Sequence, residues 1–187
     1  IECRIGMLYF IYPADSTTEF LLQIPNKILE RFGPDSVRII MVLPNEDSYK
    51  ECLHQITEIP NESVVIFMGH GQDDKLWGAE DEQFTKRPLV LKNQSKIFSD
   101  KFLFCLSCNS NEYLRGSLGY SKIISSIGFG ALPTEMPEVD NSRRLKDLGV
   151  NKAVIDRYKD ILVELVTLSF CDMLAKQQSF DELSLGF

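Results

Sequence analysis

Histidine and tryptophan are scarce in this 187-residue chain: there are two histidines, His54 and His70, and one tryptophan, Trp77. Chemistry that pairs an imidazole with another group is therefore confined to two places. Cysteine is present but in the wrong number for a framework. Cys3, Cys52, Cys105, Cys108 and Cys171 are odd in count and widely scattered, unlike a disulfide scaffold, which points to a reducing, cytoplasmic compartment. Positive charge is in deficit. Lys plus Arg is 20 against 27 Asp plus Glu, a net charge of −7, which argues against a nucleic-acid-binding module, since phosphate neutralisation needs clustered cations. No apolar run has the length of a membrane span, and no signal-peptide pattern opens the chain, so a membrane partner is not expected. Repeats, low-complexity tracts and flexible linkers are also missing.

What is present is the composition of a folded protein, 44% apolar and 25% charged. The length suits one domain over residues 1–187, large enough to bury a core without staples. Because the chain opens on Ile1 rather than Met, it is expected to be a domain excised from a larger protein or a processed product.

Short apolar runs alternate with helical patterns. Residues 4–11 form a near-continuous apolar run closed by Pro13, residues 37–43 a second, 63–68 a third and 102–107 a fourth, with 128–132 as a fifth strand. Between them, Phe20, Ile24, Ile28 and Phe32 predict a helix over about 17–32, stopped by Gly33-Pro34, with Pro25 as a point of kinking or splitting. A short helix follows Asn45 or Asp47, with Tyr49, Cys52, Leu53 and Ile56 on one face. Another covers about 110–126. A long last helix over about 151–178 places Val154, Tyr158, Ile161, Leu162, Leu165, Leu168 and Met173 on one stripe. The thirty residues after Gly71 have no helical period, which marks them as functional or locally structured. Strands alternating with helices predict a doubly wound α/β domain with a mainly parallel sheet. Its active crevice lies beyond the carboxyl ends of the strands.

That rule selects His70, just past the third strand, and Cys108, just past the fourth. If these strands are parallel neighbours, their ends lie about 5 Å apart, and a thiol nucleophile and an imidazole acid/base project into one crevice. Asn109 and Glu112 have the spacing of a capping box, which puts Cys108 before a helix N-terminus, where partial positive charge favours the thiolate. The Gly71 and Cys108 N–H groups are candidate donors to an oxyanion. Two competing chemistries of Cys105-Leu106-Ser107-Cys108 fit less well. A thioredoxin-like pair starts a helix, whereas Cys105 lies in a strand, and a zinc deaminase needs a His-x-Glu where this chain has His70-Gly71-Gln72. A structural zinc site lacks a clear fourth ligand, and no cofactor is required. Cys105, Cys3 and Cys171 are read as packing residues and His54 as a surface residue.

Strand-Gly69-His70-Gly71 followed by strand-Leu106-Ser107-Cys108-Asn109-Ser110, and then Gly128-Phe129-Gly130-Ala131, resembles the caspase-like cysteine proteases, the superfamily of caspases, metacaspases, separase and gingipains, and most nearly its bacterial CHAT type. The resemblance covers roughly residues 4–132. It implies a cysteine endopeptidase with His70 and Cys108 as catalytic dyad, Gly71 in the oxyanion hole, a protein or peptide substrate, and regulation by a further domain or partner protein. In metacaspases an acidic residue, and in caspases a glutamine, stands two positions before the nucleophile and lines the pocket for the P1 side chain; here that residue is Leu106. Asp15 and Glu135 are then candidate acidic pocket walls, and Trp77 a candidate subsite wall. The alternative is a caspase-like domain without activity that acts only through protein contacts.

Overall fold

The computed structural model describes residues 6–184. Along the chain its strands are β1 (Leu8–Pro13), β2 (Val37–Val42), β3 (Val64–Met68), β4 (Gly71–Gln72), β5 (Lys75–Trp77), β6 (Pro88–Leu91), β7 (Phe102–Leu106) and β8 (Ser125–Gly128). Its α-helices are α1 (Gln23–Phe32), α2 (Glu46–Glu58), α3 (Ser110–Ser117), α4 (Met136–Asp140), α5 (Arg143–Asp147), α6 (Lys152–Lys176) and α7 (Phe180–Ser184). Five strands make one sheet in the order β2-β1-β3-β7-β8, every neighbouring pair parallel. The fold is therefore α/β with a parallel sheet flanked by helices, as the alternation predicts.

Both faces of the sheet are covered, which is why β1 and β3 read as continuous apolar runs rather than alternating ones. Phe10, Ile66 and Phe104 point to one face and pack with Ile24 and Ile28 of α1 and Val166 and Phe170 of α6. The Phe170 ring meets Phe10 and Phe104 edge-on, at centroid distances of 6.1 and 5.1 Å, a favoured aromatic geometry. Ile11, Phe67 and Cys105 point to the other face, against Tyr49, Cys52 and Ile56 of α2 and Tyr113 of α3. Cys105 and Cys171 are buried and His54 is exposed, in line with their reading as packing and surface residues; Cys3 lies outside the described residues.

Several local expectations are corrected. The span from 17 to 32 divides into a 3-10 turn, Glu19–Leu22, and α1. Pro25 sits in the first turn of α1, where a missing N–H costs no intrahelical bond. The segment after Gly71 is locally structured: β4, β5 and β6 form a small antiparallel sheet, followed by the 3-10 turn Lys92–Phe98. The helix from 110 stops at Ser117 rather than 126, between Gly116 and Gly119, which weaken a helix.

The fifth strand accordingly begins earlier, at Ser125, and pairs Ser125 with Phe102 and Gly128 with Cys105. Residues 129–130 leave the sheet because they serve α3. The Phe129 carbonyl accepts from Asn111 N and the Gly130 carbonyl from Asn109 N, satisfying donors that a helix start leaves unpaired. On α6, Val154, Ile161, Leu165 and Leu168 face outward, and the buried stripe is Ile155, Leu162, Val163, Val166, Phe170 and Met173. The helix is apolar on two sides, so periodicity alone could not choose between them.

Candidate functional site

The register of β3 and β7 positions the two chemical groups. Met68 pairs with Leu106 at the carboxyl ends of these parallel neighbours, so His70 and Cys108 each stand two residues beyond a paired position. Gly69 N–H bonds the Leu106 carbonyl at 3.2 Å and extends the pairing to the edge of the site. His70 and Cys108 line one narrow cleft together with Thr18, Leu106, Ser107, Leu132 and Thr134. Its cavity is about 20 Å³, room for roughly one water molecule.

Gly71, next to His70, packs directly against the Ser107–Cys108 turn. A Cβ there would lie 2.6 Å from Ser107 Oγ and 2.8 Å from the Cys108 carbonyl oxygen, so only glycine lets the two strand-end loops approach this closely. The Ser107 hydroxyl is buried without a hydrogen-bond partner.

His70 is anchored from the loop after β1. Its Nε2 lies 2.7 Å from Thr17 Oγ1 and 3.4 Å from Asp15 Oδ2. Asp15 Oδ1 accepts from Thr17 N at 2.9 Å and from Thr17 Oγ1 at 2.7 Å. Lys86, from the β5–β6 connection, pairs with Asp15 Oδ2 at 2.8 Å and with Glu80 at 2.6 Å. Burial alone would raise the Asp15 pKa, but hydrogen bonds from Lys86 and Thr17 outweigh it and hold the carboxyl at about 2. The His70 pKa is pushed down, first by burial and then by the Lys86 cation, against the opposing pull of Asp15. The imidazole is thus neutral at pH 7.

Cys108 is held differently. Its Sγ donates to the Leu132 carbonyl at 3.3 Å, accepts from Leu132 N at 3.3 Å, and lies 3.9 Å from Glu138 Oε1. Glu138, on α4, also accepts from Thr134 N at 2.7 Å and Glu135 N at 3.0 Å, so one carboxylate ties the loop over the cleft to the thiol. Burial pushes the thiol pKa up, the Leu132 N–H acts against that, and the Glu138 charge adds to the rise.

Cys108 does stand immediately before the N-cap of α3, as expected, but the expected capping box is absent, and burial pushes the thiol pKa up rather than down. Asn109 is left-handed, with φ of 54°, and its side chain makes no cap bond. Ser110 Oγ instead bonds the Cys105 and Ser107 carbonyls, and the Glu112 side chain turns to Arg115. The turn after Cys108 is so tight that the cap is built from backbone and from residues 129–130.

The other sequence candidates are dispersed. Leu106 is buried and lines the cleft. Asp15 lines a second hollow of about 400 Å³ with Tyr12, Glu19, Glu80 and Asp81, whose lining includes neither His70 nor Cys108. Glu135 is the N-cap of α4 and is not part of the cleft lining. Trp77 pairs within the small sheet, under the Lys75 ammonium at 4.9 Å, and is also outside the cleft. Sequence reasoning missed Thr17, Lys86 and Glu138. For Glu138 a signal existed: Glu135-Met136-Pro137-Glu138 has capping-box spacing with Pro in the first turn. Among the described residues no group of three or more His, Cys, Asp and Glu side chains converges as metal ligands, and no helix is long and apolar enough to cross a membrane. No protein-family model and no curated protein matches the chain.

Proposed function

We propose that the chain is a cysteine endopeptidase domain of the caspase-like, CHAT type, acting on protein or peptide substrates in a reducing, cytoplasmic compartment. The observation that carries this is the paired placement of His70 and Cys108 past the same edge of adjacent parallel strands, lining one cleft. In the reaction the Cys108 S–H proton passes to His70 as sulfur attacks the scissile carbonyl carbon. The resulting oxyanion is held by the Gly71 and Cys108 N–H groups. Collapse breaks the C–N bond, and protonated His70 delivers its proton to the leaving amine. His70 then takes a proton from water, the hydroxyl attacks the thioester, and Cys108 is released as the thiol.

The cleft is narrow in this state, with Cys108 and His70 both partly exposed. A peptide needs more room, which movement of residues 132–134 away from Cys108 would supply by removing both Leu132 contacts to the sulfur. A partner protein or a further domain that draws this segment away would thereby activate the enzyme. The small volume of the cleft also supports a second reading, a caspase-like domain that acts only through protein contacts.

A peptide-library cleavage assay on wild type, Cys108→Ala and His70→Ala separates them. Cleavage by wild type that is lost in both variants is expected. Equal cleavage by wild type and Cys108→Ala overturns the peptidase reading, and absence of cleavage in all three, with Cys108 resistant to alkylation, favours the interaction module. The P1 profile reports whether Leu106, which lines the cleft where Asp15 and Glu135 do not, favours an apolar P1 side chain.

A further inference from the structure

His70 Nε2 faces an oxygen that has only one proton to give. The Thr17 hydroxyl lies 2.7 Å from Asp15 Oδ1 and 2.7 Å from His70 Nε2. Asp15 is ionised and can only accept. The Thr17 proton therefore goes to Asp15, and the Thr17 oxygen offers His70 a lone pair. With the opposite tautomer, Nε2 would present its own lone pair. The Thr17 proton would then be drawn to Nε2, leaving the Thr17 oxygen and Asp15 Oδ1 as two acceptors 2.7 Å apart. Asp15 Oδ2, 3.4 Å from Nε2, would add a second negative oxygen against that lone pair. Both oxygens thus favour a proton on Nε2.

We propose that Thr17 and Asp15 are positioning residues that hold neutral His70 as the Nε2-protonated tautomer, leaving the Nδ1 lone pair as the proton acceptor for the cleft. This rests on the dyad reading for its catalytic meaning, but the tautomer itself is a property of the resting protein. Lys86 completes the arrangement. By pairing with Asp15 Oδ2 at 2.8 Å it keeps the carboxylate ionised, so the order of protons along Thr17 is not reversed in mildly acidic solution. The charged groups acting on His70 are Lys86, Asp15, Glu138 and Glu80, of which Lys86 alone disfavours the imidazolium. Burial first, and Lys86 after it, push the His70 pKa down and so favour the neutral ring that a proton acceptor needs before it receives the thiol proton. The orientation comes from a hydroxyl interposed between carboxylate and imidazole. It fixes the ring as a direct carboxylate contact would, with less charge stabilisation of the imidazolium.

The presence of only two histidines makes the test direct. In a ¹⁵N-labelled His54→Gln protein, the remaining imidazole signals at neutral pH belong to His70. The expected spectrum shows a proton on Nε2 in slow exchange with water and an unprotonated Nδ1. Thr17→Ser keeps the Nε2–H signal, and Thr17→Val loses it to exchange. A wild-type ring protonated on Nδ1 overturns the proposal without any variant, as does a Thr17→Val ring indistinguishable from wild type. Where peptide cleavage is measurable, Thr17→Val lowers kcat with KM nearly unchanged, and Thr17→Ser restores it. An Nε2-protonated His70 in a protein that cleaves nothing leaves this inference standing and sinks the peptidase reading, so the two failures are distinguishable.

Discussion

The two walls of the cleft are built on opposite principles. The His70 wall is a chain of charged and polar groups at 2.6–2.8 Å, Glu80 to Lys86 to Asp15 to Thr17 to His70, each with a fixed partner. The Cys108 wall has three contacts to sulfur, at 3.3, 3.3 and 3.9 Å, two of them to the backbone of one residue. Sulfur is a weak donor and acceptor, so this wall is closed by contacts that are individually easy to break. The difference teaches that the imidazole is set in advance by strong polar partners, while the partly exposed thiol is held only by weak ones. Moving the Leu132–Thr134 segment would free Cys108 of its Leu132 contacts without disturbing the Thr17 and Asp15 partners of His70.

The largest expected effect breaks both walls together. β3 and β7 are their common floor, and Phe104 lies at its centre, between the rings of Phe129 at 5.4 Å and Phe170 at 5.1 Å. Phe104→Ala is expected to cost roughly 3–5 kcal/mol, read as a fall in denaturant midpoint with an unchanged m-value. A loss below about 1 kcal/mol, the size of an ordinary substitution, would mean that this floor is not what holds the strand ends in register.

The next effect is confined to the His70 wall and is read as pH dependence. His70 has a lowered pKa in the fold, so the stability it contributes is complete above its ordinary 6.5 and falls as pH drops below that value. Asp15 is shifted from 3.8 to about 2, so its contribution is complete above 3.8 and is lost as pH falls toward 2. A pKa lowered that far makes the Asp15 step worth about 2 kcal/mol. Acid unfolding of wild type against Asp15→Asn should show the variant losing the lower step and keeping the upper one. Identical acid profiles for the two proteins would remove Asp15 from the account.

How far the sequence reaches follows the same division. The parallel sheet was legible because strands buried on both faces must be apolar throughout, as 64–68 and 102–106 are. The strand-end rule then placed His70 beside Cys108. The partners of each group were not legible. Asp15 and Thr17 meet His70 across more than fifty residues, and Lys86 reaches Asp15 only because a small sheet folds the connection after Gly71 back over the site. No periodicity records such a closure. The register of β8 failed for a related reason: residues 129–130 are apolar or small enough for a strand, but their carbonyls are taken by the start of α3. On α6 two apolar stripes competed, and only packing against Phe10 and Phe104 chooses the one through Phe170.

The smallest effect on stability sharpens the comparison most, because it separates coverage from reactivity. Glu138→Gln keeps the size of the side chain and its acceptor for Thr134 N and Glu135 N, so the loop stays closed at a cost of about 1 kcal/mol. The charge that adds to the rise in the Cys108 pKa is gone, while burial, the larger cause, remains. The thiol pKa should therefore fall part of the way toward its ordinary value. The thiolate is the species that reacts, so the pH profile of iodoacetamide alkylation at Cys108 should move to lower pH in Glu138→Gln. If instead the profile keeps its midpoint and the rate rises equally at every pH, Glu138 acts on this wall as a latch, and the thiol is governed by access rather than by charge.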